Sequence, residues 1–594
     1  MSAPMERQVM DVDIACVGFG PATAGFLATL GKNLVNPDGT PAIESRVMPG
    51  MPLQVVCYER ADDVGFGVSG IVTRARGIRA ALPALDLSQI PMAAPVVSEK
   101  VVYLLDPVGA SRRSLGLRFA DRAIRTLRLH HDFGYELPYV PPFLRKDGGI
   151  VLSMGQFMQH LAGEISSTGL VQIWPGMPVA EALPGAGISS VVGIRLVDQG
   201  ADPGMDIHAD LTVVGDGPVG AVGRQLDERL GMPEGHQHRE WALGMKFVID
   251  LPESTALTPG TVFHTFGYPE PEIFGFLYVH PGNVASVGIF VPSWFRSPVR
   301  TAYRYLQHYV MHPYFWRHLQ GGRLRSWGAK SLEESGRRGE PFLVGDGFAR
   351  IGEGSGSTNV LTGSGVDEAW TTGMQLAYAV IELAQEGEPF TRKNLERAYV
   401  SRRRASWVEE EGRIAETSRD GFHRGVVTGM AGMALAGLTG GKHSVSGEPR
   451  RVSTAEEFYG GKITAAGVRR IIDECRAKGI ACHDALMDAC GWPAIPFDGQ
   501  LLITHQDALL VGGKVQAPAG FADHVQFVDP DRCEDCATKL CVEMCSGQAI
   551  TPNSGGVPAF DREKCIFCGA CVWNCPSKAI AFMAGGGGLH SNEN

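Results

Sequence analysis

The chain has 594 residues, of which 44% are hydrophobic and 20% charged, and a formal net charge of −10. That length calls for two to four structural regions around at least one large core, and the composition excludes a disordered chain. The mild charge, with no extended basic run, excludes nucleic acid as an expected partner, and the longest apolar run, Gly425 to Leu438, falls short of the ~18 residues a membrane-spanning helix needs.

In chain order, Met1 to Met10 carries neither a secretory nor an Arg-rich transit pattern, so the cytoplasm is the expected compartment. Asp13 to Val17 reads as a short apolar strand, followed by Gly18-Phe19-Gly20 and a helical pattern through Leu30. Such a turn lets the backbone approach a pyrophosphate, whose charge then sits at the helix N-terminus. The third fingerprint position is Thr23 instead of Gly or Ala, with Ala24 and Gly25 after it. Leu53 to Tyr58 reads as the second strand, after a polar insertion from Lys32 to Pro52. Glu59 ends it, where a carboxylate can accept hydrogen bonds from ribose hydroxyls.

Leu211 to Val214 and Phe342 to Val344 are further short strands, each followed by Gly-Asp-Gly. Asp216-Gly217 resembles the mid-chain motif of FAD-dependent reductases and hydroxylases. Gly345-Asp346-Gly347 resembles their late motif, whose Asp meets the ribityl chain or pyrophosphate. With Gly18, Gly20 and Glu59, these motifs make FAD the expected dinucleotide. Gly215 to Gly220 also satisfies G-x-G-x-x-G, so a second, NAD(P)H-binding unit is the alternative, although the sequence after Arg224 turns polar by His236.

Trp241 to Pro292, rich in β-branched and aromatic residues, predicts antiparallel sheet inserted into the α/β framework. Thr371 to Glu386, Arg392 to Thr417 and Glu456 to Met487 predict helices, and a Gly-rich tail begins at Gly585.

Eight of the thirteen cysteines fall between Cys533 and Cys575. Cys565-x2-Cys568-x2-Cys571-x3-Cys575-Pro576 is the bacterial ferredoxin ligand run. Cys533-x2-Cys536-x4-Cys541-x3-Cys545 is its partner with two extra residues between the second and third members. Ferredoxin logic assigns Cys565, Cys568, Cys571 and Cys545 to one [4Fe–4S] cluster and Cys533, Cys536, Cys541 and Cys575 to another, so one or two clusters are expected, with two favoured. A structural zinc site is the alternative. No catalytic side chain is expected, because the chemistry belongs to the cofactors. His264, Tyr268 and Glu353 are the candidates for moving protons near a flavin.

Across nearly its whole length the chain resembles electron-transfer flavoprotein:ubiquinone oxidoreductases and their nitrogen-fixation-associated relatives. The resemblance rests on the motif order and on Phe263 to Pro269 (FHTFGYP), Phe276-Leu277-Tyr278, His312-Pro313 and Gly322 to Lys330 (GRLRSWGAK). It implies an α/β plus α+β architecture: a Rossmann-like FAD-binding domain of the glutathione-reductase type (1–240 and 336–390, with quinone-domain segments about 75–150) and an inserted antiparallel-sheet quinone domain (241–335). A helical region (391–500), a ferredoxin-like iron–sulfur domain (501–584) and a flexible tail (585–594) complete it.

The family implies electron transfer from an electron-transfer flavoprotein, here with ferredoxin as a further donor, through FAD and iron–sulfur to quinone, and peripheral attachment to the inner face of the membrane. Three departures accompany it. The extra four cysteines suggest the second cube. Ile273 and Phe274 replace the family's glycine pair at the quinone. The membrane-dipping hairpin, about 423–442, lacks bulky aromatics, with an ordinary buried hairpin as the alternative. The rival functions are a ferredoxin-fed FAD reductase of a prenyl or other double bond, and an electron-relay subunit of a larger complex.

Overall fold

The computed structural model describes residues 7–66, 70–200, 202–363, 365–511, 515–516, 522–584 and 587–588. The chain opens with β1 (Val9–Val17), helix α1 (Pro21–Gly31) and β2 (Val55–Tyr58), then β3 (Ser98–Leu104), β4 (Val171–Trp174), β5 (Asp206–Val214) and α2 (Ala221–Leu230). Four long strands follow, β6 (Trp241–Asp250), β7 (Thr261–Phe266), β8 (Phe274–His280) and β9 (Val284–Pro292). After β10 (Arg323–Glu333) come β11 (Phe348–Arg350), α3 (Val366–Gln385) and α4 (Val426–Thr439).

Two sheets organise the molecule. The first has a parallel core in the order β11-β5-β1-β2-β4, with Val191–Leu196 and Val179–Pro184 added antiparallel beyond β5, and β1 lies where the strand order reverses. Its strands read as continuous Val/Ile/Leu/Cys runs because both faces are covered. One cover is α1, whose sequence PATAGFLATLG carries no charge and is buried from Ala22 to Leu30 between the sheet and α3. In the second sheet, β10-β6-β9-β8-β7 are antiparallel neighbours; β3 then joins β7 in parallel and Gly134–Glu136 closes the edge. Its far face packs on helices Ala302–Val310 and Pro313–Leu319 and on residues between Ala455 and Ala508.

After β5 the chain forms α2 and passes into β6 of the other sheet, so Gly215 to Gly220 does not open a second βαβ unit among the described residues. Two further expectations are corrected. The strand expected at Phe342 to Val344 is the two-residue Val344–Gly345, and the parallel strand beside β5 is β11, after the Gly-Asp-Gly. Residues 423–442 form no hairpin: a single helix, α4, runs from Gly425, whose φ is +134°, to Gly440 at φ +61°. An uninterrupted Gly/Ala/Met/Leu sequence offers no turn between these two glycines, which is why one helix forms. Most of the expected flexible tail lies outside the described residues, and Gly587–Gly588 pairs with Val515–Gln516. Among the described residues no helix is long and apolar enough to cross a membrane.

Candidate functional site: a dinucleotide crevice with a docked cysteine module

The loops after β1, β2, β5 and β11 meet at one end of the parallel sheet, the carboxyl ends of its strands, where open α/β sheets bind their ligands. Gly18 N–H donates to the Tyr58 carbonyl at 2.8 Å, Gly215 N–H to Val17 at 3.1 Å and Ile351 N–H to Val214 at 3.0 Å. Gly18 has φ +83°, and a Cβ there would come within 3.0 Å of the Gly215 carbonyl oxygen. Gly20 and Gly217, by contrast, face open space, as a loop cradling a pyrophosphate requires. Thr23, the departure from the fingerprint, is fully buried and fits because Gly215 has no Cβ: one would meet the Thr23 hydroxyl at 2.4 Å. Glu59 accepts from the Phe19 N–H at 2.8 Å and the Ala61 N–H at 3.0 Å, which fixes its carboxylate at the crevice edge.

Asp216 turns inward instead. It accepts from Gly223 N–H in the first turn of α2 at 3.0 Å, and burial pushes its pKa up to about 6. Gly345 and Asp346 stand apart from the others. They form the turn before β11, at the opposite end of the sheet, where Asp346 accepts from Arg392 N–H at 2.8 Å. The whole of β11 separates them from the crevice. The residues that reach it after β11 are Gly352, Glu353 and Gly354, with Gly354 packed on Gly217. Glu353 binds Lys330 of β10 at 3.1 Å and the Glu333 N–H at 2.9 Å. The expected late motif was Gly345-Asp346-Gly347; the apolar run Phe348 to Ile351 is the sequence signal for Gly352-Glu353-Gly354 after it.

A cleft lined by Gly217, Arg224, His238, Arg350, Glu353 and Gly354 borders these loops. Arg350 is 2% exposed; its Nη2 lies 2.8 Å from Asp227, and among the described residues its Nε has no hydrogen-bond partner. A buried donor of this kind beside open glycines fits an anionic dinucleotide such as FAD.

The cysteine module docks onto this same end. A Cβ at Gly569 would lie 2.9 Å from Val219, Ser331 N–H of β10 donates to the Cys568 carbonyl at 2.9 Å, and Arg224 donates to Phe582. Arg60, next to Glu59, lies over the Phe567 ring at 3.6 Å, so one buried guanidinium bridges the dinucleotide edge and the Cys565–Cys568 loop. Sequence reading gave no hint of Arg60, which is marked only by lying beside Glu59.

The thiols act on one another: Cys565 is pushed up first by burial and then by Cys545 and Cys568, and Cys571 first by burial and then by Cys568, Cys565, Cys545 and Cys541. Cys541 is pushed up first by burial and then by Cys575, Cys536, Cys533 and Cys545. Backbone N–H groups point at sulfur: Ala549 at Cys545 and Ala579 at Cys575, both at 3.2 Å, and Phe567 at Cys565 at 3.4 Å. Nε2 of the fully buried His524 lies 3.2 Å from Cys565 Sγ. Among the described residues no three His, Cys, Asp or Glu side chains converge as on a single ion. The thiolates of a cube bind different irons, and the backbone donors fit their sulfurs.

Of the proton-carrying candidates, His264 pairs with Glu99 at 2.8 Å and burial lowers its pKa. Glu99 also accepts from Lys146 N–H, and the Lys146 amine reaches the Thr362 carbonyl in the loop before α3. Tyr268 packs on His312 and Trp492, on the far face of the second sheet.

Residues 241–332 match the family described as "ETF-QO, ubiquinone-binding", and residues 558–581 match "4Fe-4S binding domain". The chain is 28% identical over 451 residues to the mitochondrial electron transfer flavoprotein-ubiquinone oxidoreductase of Arabidopsis thaliana, covering 73% of this chain and 64% of the relative. It is 26% identical to that of Pseudomonas aeruginosa, covering 68% and 70%. The match thus spans just under two thirds of the plant relative's length. In fold the chain is similar to a geranylgeranyl bacteriochlorophyll reductase-like protein of Thermoplasma acidophilum, with a TM-score of 0.50, 14% identity, and coverage of 78% of this chain and 99% of that one.

Fold, crevice and cysteine module together define a dinucleotide-binding type of α/β fold with a C-terminal 4Fe–4S binding domain. Within that class, the ubiquinone-binding match across the second sheet makes this chain a relative of the electron transfer flavoprotein-ubiquinone oxidoreductases.

Proposed function

We propose that the chain passes electrons from an electron-transfer flavoprotein or a ferredoxin, through two [4Fe–4S] clusters and FAD, to a quinone at a membrane surface. The observation that carries this reading is the docking of the Cys545/Cys565/Cys568/Cys571 set onto the loops of the dinucleotide crevice through Arg60, Val219 and Ser331. When bound, FAD takes up two electrons and releases them singly, and a thiolate-ligated cube carries one at a time. The protein's part is placement: Gly18, Gly20, Gly217 and Gly352 to Gly354 cradle the pyrophosphate, Glu59 receives the ribose, and His524 and the backbone N–H groups face the sulfurs.

The quinone reading is supported by an aromatic strip on the second sheet. Where the family has its glycine pair, Ile273 is buried and Phe274 packs edge-on against Trp294 and Phe422. On the same face Phe276 stacks on Tyr278 at 4.6 Å and tilts against Phe290. Phe422 lies beneath Gly429 of α4, so the strip leads toward that helix.

α4 supports membrane attachment. Gly429, Gly432 and Ala436 face the protein, while Val427, Leu435 and the 84% exposed Leu438 face outward, with no charged residue between Val426 and Thr439. A helix of this kind fits an interfacial position. The double variant Val427→Asp and Leu438→Asp is expected to bind phospholipid vesicles at least about tenfold more weakly, because moving one such side chain into an apolar phase contributes about 1.5–3 kcal/mol. Co-sedimentation measures it, and unchanged binding would remove α4 from the attachment.

The function itself is tested by anaerobic reduction of a short-tailed quinone, with reduced electron-transfer flavoprotein, reduced ferredoxin and NAD(P)H compared as donors. Turnover with either of the first two is expected. No turnover with any donor, in protein holding its full flavin and iron, rejects the quinone and leaves the double-bond reductase or relay subunit.

A further inference from the structure

The face of the second sheet that carries Lys330, and through it Glu353 of the crevice, also carries a buried lysine that no described residue holds. Lys246 lies on β6 opposite Gly288 of β9 and Gly328 of β10, one diagonal step from Lys330. It is 2% exposed, and among the described residues its Nζ has no hydrogen-bond partner. Burial alone holds its pKa well below the usual lysine value, since no carboxylate offsets it.

The groups facing it are few. β9 presents Ser286, and β8 presents His280, whose Nε2 is 2.9 Å from the Ser286 hydroxyl and whose Nδ1 is 3.0 Å from the Met92 carbonyl. β10 presents Lys330, already bound to Glu353. From the FAD-binding part comes Gly70, at φ +85°, where a Cβ would lie 2.8 Å from Lys246 Nζ and 2.2 Å from Ser286 Oγ. Gly70 lies against the amine, and the register partners of Lys246, Gly288 and Gly328, carry no side chain, with the Phe276 ring over Gly288.

An amine this deep without an acceptor is unfavourable unless a ligand supplies one. We infer that Lys246 faces the ring system of FAD and takes up a proton when that ring is reduced. The inference rests on the FAD reading above and on no particular electron donor or acceptor. In balance, FAD takes two electrons and one proton to give a ring with one negative charge, and the neutral amine takes a second proton to become the ammonium that offsets it. His280, held by the Ser286 hydroxyl, takes no part in this proton uptake. Burial brings its own pKa down to about 4, so it stays neutral throughout.

The test is spectroelectrochemical titration of FAD in the cluster-loaded protein, without quinone, from about pH 7 to 9. A tenfold change in proton concentration moves a two-electron couple by about 30 mV per proton taken up, so the parent is expected to fall by about 59 mV per pH unit. Lys246→Met and Lys246→Gln are each expected to fall by only about 30 mV per pH unit, from a lower midpoint at the acidic end. Loss of FAD from both variants, with the apoprotein as heat-stable as the parent's, would equally support contact with the ring.

Parent-like slope and midpoint in either variant would overturn the inference. So would variants that no longer fold, because an unpartnered amine gives the apoprotein nothing to lose. A parent that reduces no quinone yet shows both slopes rejects the acceptor and keeps Lys246; a chain that never binds FAD rejects both.

Discussion

Cys568→Ala and Cys541→Ala chains are each expected to purify with about four irons fewer than the parent, and to fail differently as electron carriers. Cys568 belongs to the thiol set against Val219, Ser331 and Arg60, so its loss removes the carrier next to the flavin. Quinone turnover should fall to background with every donor. Cys541 belongs to the other set, whose neighbours are Lys539, bound to the Cys533 carbonyl, Arg532, bound to Ser577, and Arg476, bound to Ala537. None of these contacts touches the crevice. Turnover fed by ferredoxin should therefore vanish while turnover fed by the flavoprotein persists.

Iron analysis and paired donor assays check this. Equal iron in Cys541→Ala and parent would mean that the longer Cys536–Cys541 spacing leaves the second set without a cube. FAD content should be unchanged in Cys541→Ala, whose surroundings do not touch the crevice. Both modules should also become less stable, since the apolar core around Val525, Val542, Ile550, Ile580 and Phe582 is small and cluster binding contributes to folding.

Much of this site was legible because its chemistry needs residues at fixed spacing. Cysteine spacing separates the eight ligands into two expected sets in the sequence. The βα opening at Gly18 was equally plain, since a strand, a Gly turn and an uncharged helix leave little choice. The late motif was not, because two glycine-flanked acids stand seven residues apart and only strand pairing tells which follows β11. Lys246 and Arg60 were invisible for another reason. A buried lysine in a β-rich run reads as an ordinary surface position, and an arginine after a strand reads as solvated. Their meaning comes from which distant segment lies opposite, Gly70 in one case and Phe567 in the other. The outward face of α4 was half legible: its apolar composition pointed to a membrane, but composition does not distinguish one helix from two.

Gly373→Ala is expected to destabilise the fold and Gly20→Ala is not, although both should weaken FAD binding. α1 crosses α3 with almost no separation. A Cβ on Gly373 would lie 1.8 Å from the Ala22 carbonyl oxygen, and one on Gly25 would lie 2.6 Å from that of Trp370. Both obstacles are backbone, which cannot rotate away, so α1 must shift and take the Gly18–Gly20 loop with it. Forcing extra volume into a packed core costs about 1–3 kcal/mol, and a backbone clash belongs at the upper end. At Gly20 the protein leaves open space, so the methyl group meets nothing until FAD arrives. Its cost should fall on binding alone, at least about tenfold or 1.4 kcal/mol. Thermal unfolding of the apoproteins and FAD titration separate the two effects. An apoprotein of Gly20→Ala that binds FAD as the parent does would mean that the pyrophosphate does not approach this loop. Because Gly373 acts on the same loop only through α1, its loss of FAD should be reversed by a second change that relieves the crossing, whereas no change at the crossing should restore Gly20→Ala.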